Sequence, residues 1–228
     1  MKNLLFSLIL FGFAAFSNAQ TKSNWQQAVD YTIQVTLDDE LHMLRGKEQF
    51  VYTNNSPHTL SFLYIHLWPN AYKNKGTALA KQLMMSGKDY LFRNDPEYQG
   101  FIDSLDFKVG DVSLKWSYDV KHIDIAKLTL NKPLAPGEKV VISTPFRLKL
   151  PSGEVSRMGH INQTYQITQW YPKPAVYDEK GWHPMPYLNQ GEFYSEYGSF
   201  DVSITLPENY TVGATGDLRS EEHTSELQ

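Results

Sequence analysis

Seven histidines are the first residues to weigh for chemistry: His42, His58, His66, His122, His160, His183 and His223. No two of them stand four apart with a glutamate between, the spacing at which one helical turn presents two imidazoles to zinc. His66 falls inside the apolar segment Leu60 to Trp68, where a core histidine is the expectation. His183 follows Gly181-Trp182 in a loop and is expected to hydrogen-bond structurally. There is no Gly-x-Ser-x-Gly nucleophile elbow and no glycine-rich phosphate loop after a strand. Asp38/Asp39, Asp178/Glu179 and Glu192/Glu196 are carboxylate pairs, but they are close sequence neighbours in turns. Glycoside hydrolysis needs its two carboxyl groups facing each other across a cleft. No residue of this chain is therefore assigned a catalytic or metal-binding role.

The densest cluster of distinctive side chains is Gln169-Trp170-Tyr171-Pro172-Lys173-Pro174. It is followed by Val176-Tyr177-Asp178, Gly181-Trp182-His183-Pro184 and Gly191-Glu192-Phe193-Tyr194. Aromatics interleaved with prolines and a few polar groups fit two readings. The rings either cover the open end of a sheet sandwich or form a rigid rim for a peptide or sugar.

Strand signals dominate the elements that must position this cluster. Tyr31, Ile33, Val35 and Leu37 alternate with polar residues, and Asp38-Asp39-Glu40 turns the chain into a second strand, Leu41 to Thr53, broken by Gly46. Leu60 to Trp68 is apolar on both faces and reads as a central, doubly covered strand. Lys73 to Asp95 breaks the pattern, and Ala78, Leu79, Leu83 and Met84 suit a short helix. Further strands are expected over 101–109, 112–118, 122–130, 140–150, 163–170, 193–206 and 210–215. Pro145 cannot donate to a ladder, which predicts an edge or a bulge there. Phe200, Val202, Ile204 and Leu206 give the clearest alternation in the chain. Many short strands separated by turns predict an all-β sandwich or saddle with one short helical excursion.

The two ends have their own signatures. Lys2, an apolar run from Leu4 to Phe16 and Ser17-Asn18-Ala19 make a secretory signal peptide over residues 1–19, cleaved after Ala19, so the chain is expected to be exported, to the periplasm or outside the cell. The apolar run is too short for a comfortable bilayer span, and no later stretch is long enough. Residues 219–228, Arg219 to Gln228, back-translate to a common short-read sequencing adapter. They are expected to be an artefactual tail on a fragment of a longer protein. Cysteine is absent, which removes disulfides and thiolate metal sites, so 228 residues with 41% hydrophobic content must hold together by core burial. A net charge of −4 with scattered basic residues argues against nucleic acid or an anionic membrane as partner.

Several segments, taken in order, carry a resemblance. Thr168-Gln169-Trp170-Tyr171-Pro172, Val176-Tyr177-Asp178, Gly181-Trp182-His183, Gly191-Glu192-Phe193-Tyr194, Tyr197-Gly198-Ser199-Phe200-Asp201-Val202 and Ala214-Thr215-Gly216 resemble the second half of the N-terminal domain of aminopeptidase N-like zinc peptidases. The version is the one common in secreted bacterial members, and Leu67-Trp68-Pro69-Asn70-Ala71-Tyr72 matches its first half. The resemblance runs from about Ala28 to Leu218. It implies a saddle-shaped β domain, residues 20–218, capping a thermolysin-like zinc domain that removes N-terminal residues from peptides. In the family a residue just after the Thr-Gln helps bind the substrate's free α-amino group, which makes Gln169 and Tyr171 the substrate-binding candidates. Many relatives carry Glu or Gln where this chain has Tyr171. A phenol accepts a hydrogen bond from an ammonium but brings no negative charge, so Gln169 or the catalytic domain would carry more of the recognition. The family's Gly-x-Met-Glu-Asn segment and His-Glu-x-x-His motif do not occur in this sequence. Zinc is thus expected in the full-length parent and not in this fragment. Two other readings remain open: a non-enzymatic exported β-sandwich module for adhesion or carbohydrate binding, and a relative that has lost its metal ligands. A cap separated from its catalytic neighbour is also expected to expose an apolar patch and self-associate.

Overall fold

A computed structural model describes residues 25–191 and 193–222. The expected signal peptide, Glu192 and the part of the expected tail from His223 onward lie outside the described residues. The first long strands are β1 (Ala28–Asp38), β2 (Met43–Thr53) and β3 (Leu60–His66). Short strands follow: β4 (Phe101–Asp103), β5 (Lys108–Val109), β6 (Val112–Ser113) and β7 (Lys115–Tyr118). Then come the long β8 (Ile125–Leu134) and β9 (Lys139–Lys149), and the short pair β10 (Gly159–Ile161) and β11 (Thr164–Gln166). The last are β12 (Lys173–Pro174), β13 (Val176–Asp178), β14 (Gly181–His183) and β15 (Phe200–Thr205). The helical excursion is α1 (Ala78–Met85), capped by the Thr77 hydroxyl, which accepts from the Ala80 N–H.

Two sheets carry the fold. The larger runs β15-β1-β2-β9-β5-β6, with β4 also on β9, and the smaller runs β12-β3-β8-β7. The alternation expected for β1 is realised: Val29, Tyr31, Ile33, Val35 and Leu37 are buried and the residues between them face outward. Their inner face meets Phe50, Tyr52, Ile142, Phe146 and Leu148 of β2 and β9, and Leu63, Ile65 and Leu128 of the second sheet join the same core. An all-β architecture with one short helix is what the structure has.

Four sequence expectations change in detail. Strand β2 runs unbroken through Gly46, because a Cβ there would lie 2.3 Å from the Phe146 ring; the glycine makes room for an aromatic side chain. Strand β9 is not an edge. Pro145 lies opposite Lys47 of β2, and on its other side it falls between the Lys108–Ser143 and Asp103–Arg147 pairings, where no neighbour requires its missing N–H. The expected 193–206 strand begins only at Phe200; before it, Gly198 lies so close to Val29 that a Cβ would be 1.6 Å from the Val29 carbonyl oxygen. Residues 210–215 form no strand, since they meet no partner to extend the sheet among the described residues.

Candidate functional site

The segment Thr168 to Lys173 crosses from the hairpin β10–β11 to the smaller sheet. Its far end is fixed by β12, where Lys173 pairs with His66 and Pro174 with Ile65, and by the Ala175 N–H donating to the Tyr64 carbonyl at 2.8 Å. Its aromatic side chains then fall onto the larger sheet. Trp170 lies 5.9 Å from Phe146, and Tyr171 packs edge-on against Tyr31 at 5.3 Å and against Phe200 at 5.8 Å. Gln169 holds a left-handed backbone with φ 55°, uncommon outside glycine. Both predicted substrate-binding residues are thus brought together on one half-buried loop at the meeting of the two sheets.

The Gln169 side chain already has a partner. Its amide oxygen accepts from the Lys173 ammonium. An ammonium only donates, so the amide orientation follows without ambiguity. Lys173 is 4% exposed, and its Nζ lies 4.1 Å from the centre of the Trp68 ring and 5.6 Å from that of Tyr171. Burial pulls its pKa down to about 7. His66 stacks on the other part of the same wall, 4.4 Å from Trp68. Its Nε2 accepts from the Met185 N–H, which leaves Nδ1 with no partner. Burial, aided by the nearby Lys173 charge, drives its pKa down to about 3. His66 is a neutral core histidine, as its apolar setting predicted.

Two further carboxyl groups are perturbed: Glu48, which the sequence did not single out, and Glu196, named there only as one of the Glu192/Glu196 pair. Glu48 occupies an inward position of β2 opposite Ile33 and Thr144, fully buried, with neither carboxyl oxygen bonded. Desolvation raises its pKa well above the carboxylate range, so the group is held neutral. The strand pattern marks position 48 as inward, and a charged residue there was the available signal. Glu196 accepts from the Tyr177 N–H through one oxygen and leaves the other unpartnered; burial pushes its pKa up to about 7. The Tyr171 phenol is likewise pushed up, first by burial and then by the proximity of Glu48.

The remaining sequence candidates separate. Asp38 pairs with Arg45, and Asp39 accepts from the Tyr210 hydroxyl. Asp178 accepts from His183 at 2.8 Å and from Tyr194 at 3.2 Å, a local brace across the β13–β14 hairpin. Tyr177 and Trp182 lie 4.9 Å apart and tilted, with Trp25 on one side and Phe62 on the other. Among the described residues no three His, Cys, Asp or Glu side chains are arranged to hold a metal ion.

The fold and this loop define a class: an all-β domain of two sheets whose inner faces share a core, with an amide-and-aromatic loop where they meet. No protein-family description and no curated protein matches the sequence. Solved structures do. An M1 zinc metallopeptidase from Deinococcus radiodurans, a glutamate-to-alanine variant bound to a Tyr-Ser-Ala substrate, is 14% identical with a TM-score of 0.47; the match covers 87% of this chain and 37% of that one. The unmodified Deinococcus enzyme is 15% identical with a TM-score of 0.44 over the same share of this chain and 36% of its own. An aminopeptidase N family protein from Idiomarina loihiensis is 13% identical with a TM-score of 0.25, over 53% of this chain and 15% of that one. The chain thus spans little more than a third of the length of the Deinococcus structures.

Proposed function

We propose that this chain is the substrate-capping β domain of an exported zinc aminopeptidase, and that Gln169 and Tyr171 help receive the free α-amino group of a peptide. The zinc and the water it activates belong, in this reading, to a catalytic domain beyond this chain. The ordered series of motifs from Leu67 to Gly216 supports the family assignment. The observation that carries the site is the Thr168–Lys173 loop. A glutamine held at φ 55° costs of order 1 kcal/mol of backbone strain. It persists because Trp170, Tyr171 and Lys173 are anchored on both sheets. Pre-organised polar groups at the junction of packed layers are where a small ligand group is best received.

Gln169 accepts through its amide oxygen and Tyr171 through its phenol oxygen, and both can take a hydrogen bond from an ammonium. Neither supplies charge, so the domain would position the amine while an acidic group elsewhere binds it more strongly. The test is the full-length protein assayed for release of N-terminal residues from peptides, with and without a zinc chelator. Activity that the chelator removes and zinc restores is the expected result. A full-length protein with no paired metal-binding histidines, or with no such activity, overturns the reading.

A further inference from the structure

Gln169 and Tyr171 are already serving an ammonium in this structure, and it belongs to the chain itself. The Lys173 Nζ donates to the Gln169 amide oxygen and sits over the faces of Trp68 and Tyr171. These are the groups that recognise a primary amine anywhere: one carbonyl acceptor and two aromatic faces whose quadrupoles attract a cation. Lys173 makes no ion pair among the described residues, and the titratable groups facing it are His66 on β3 and Tyr171 on its own loop. A buried cation held only by an amide and two rings is weakly compensated, and burial holds its pKa near 7. Trp68, 1% exposed, is the closed wall of the box, and Gln169 and Tyr171 are its half-buried members.

We infer that Lys173 is an internal competitor that fills a primary-ammonium box made by Gln169, Tyr171 and Trp68, so that an incoming amine must displace its side chain to reach the Gln169 carbonyl. This rests on the reading of Gln169 as an amine acceptor and adds how access to it is controlled. The exchange is one ammonium for another. Below about pH 7, where Lys173 is mostly protonated, it costs no net charge inside the box. An amine that is smaller or better anchored than the tethered lysine wins; a blocked peptide N-terminus, lacking the charge and donors, does not.

The experiment removes the competitor and supplies a soluble one. In Lys173→Ala, propylammonium should bind saturably and raise Tm by a few degrees, while 1-propanol of similar size should not. Gln169→Ala added to that variant should abolish the response, and the unsubstituted chain should respond at least tenfold more weakly. If Lys173→Ala fails to fold, the unsubstituted chain labelled with 13C at the lysine ε-carbon provides the readout, with the Lys173→Met spectrum identifying the signal. Leucinamide should move the Lys173 signal, and acetylated leucinamide should not. Equal responses to propylammonium and propanol, or none to either, overturn the box. Leucinamide that binds through Gln169 without moving the Lys173 signal overturns the competitor while leaving amine recognition intact.

Discussion

Strands β1 and β15 lie side by side in one sheet, parallel, with Tyr31 opposite Phe200 and Ile33 opposite Val202. Both alternate apolar and polar residues without a fault, and their apolar residues point to the same face. Yet Val29 is 0% and Ile33 1% exposed, whereas Phe200, Val202 and Ile204 are 48%, 39% and 42% exposed. The difference lies in what covers them. The inner face of β1 packs into the core shared by both sheets, while β15 is the last strand of its sheet among the described residues, with the rings of Tyr31 and Tyr171 against Phe200. Alternation fixes which face a strand would bury; burial itself depends on a second layer. An uncovered apolar face beside an open strand edge invites another surface.

The comparison can be broken most forcefully from the core side. Phe50→Ala, on the buried face opposite Tyr31, should cost about 3–5 kcal/mol, read as a drop in denaturant midpoint. Phe200→Ala, next to the same tyrosine but half exposed, should cost less than ~1 kcal/mol. Equal losses would mean that β15 is as well covered as β1.

A smaller effect comes from Glu48, a fully buried acid in that core whose carboxyl oxygens have no hydrogen-bond partner. Glu48→Leu removes a buried carboxyl with no partner and should stabilise the chain by about 1–3 kcal/mol. It should also flatten a pH slope. Burial keeps the proton on Glu48 in the folded state, above the ordinary carboxyl value of 4.5. The folded chain therefore binds more protons than the unfolded chain above that value, and stability falls as pH rises. Loss of stability in Glu48→Leu would show that the carboxyl has a partner in solution.

The smallest change in stability should accompany the largest change in association. Ile204→Lys on exposed β15 should alter folding free energy by no more than ~0.5 kcal/mol, yet place a charge on the open apolar face and reduce self-association by light scattering. If the unsubstituted chain stays monomeric at high concentration, the uncovered face has no such consequence.

Much of this was legible in the residues. The period-two patterns of β1 and β15 and the α1 excursion follow from spacing; Gln169 and Tyr171 were singled out by the family resemblance, and the strand expected over 163–170 stops at Gln166, which leaves both on a loop. Gly46 and Pro145 misled because each was judged by its own backbone habit; the first answers to the Phe146 ring across the sheet, and the second to a gap between two short strands. The capture of Gln169 by Lys173 was four residues away in the sequence, but only the meeting of two sheets turns that spacing into a buried contact with Trp68. Glu48 stood at an inward position of a patterned strand, where an acid among apolar neighbours could have been flagged.

The central claim is that this domain reads a peptide's free amine, and the most direct measurement is discrimination by the full-length protein between a free and an acetylated N-terminus. The account predicts that Gln169→Ala and Tyr171→Phe each raise KM for free-amine peptides several-fold with little change in kcat and narrow the preference over acetylated ones. Unchanged KM and unchanged preference in both variants would contradict it.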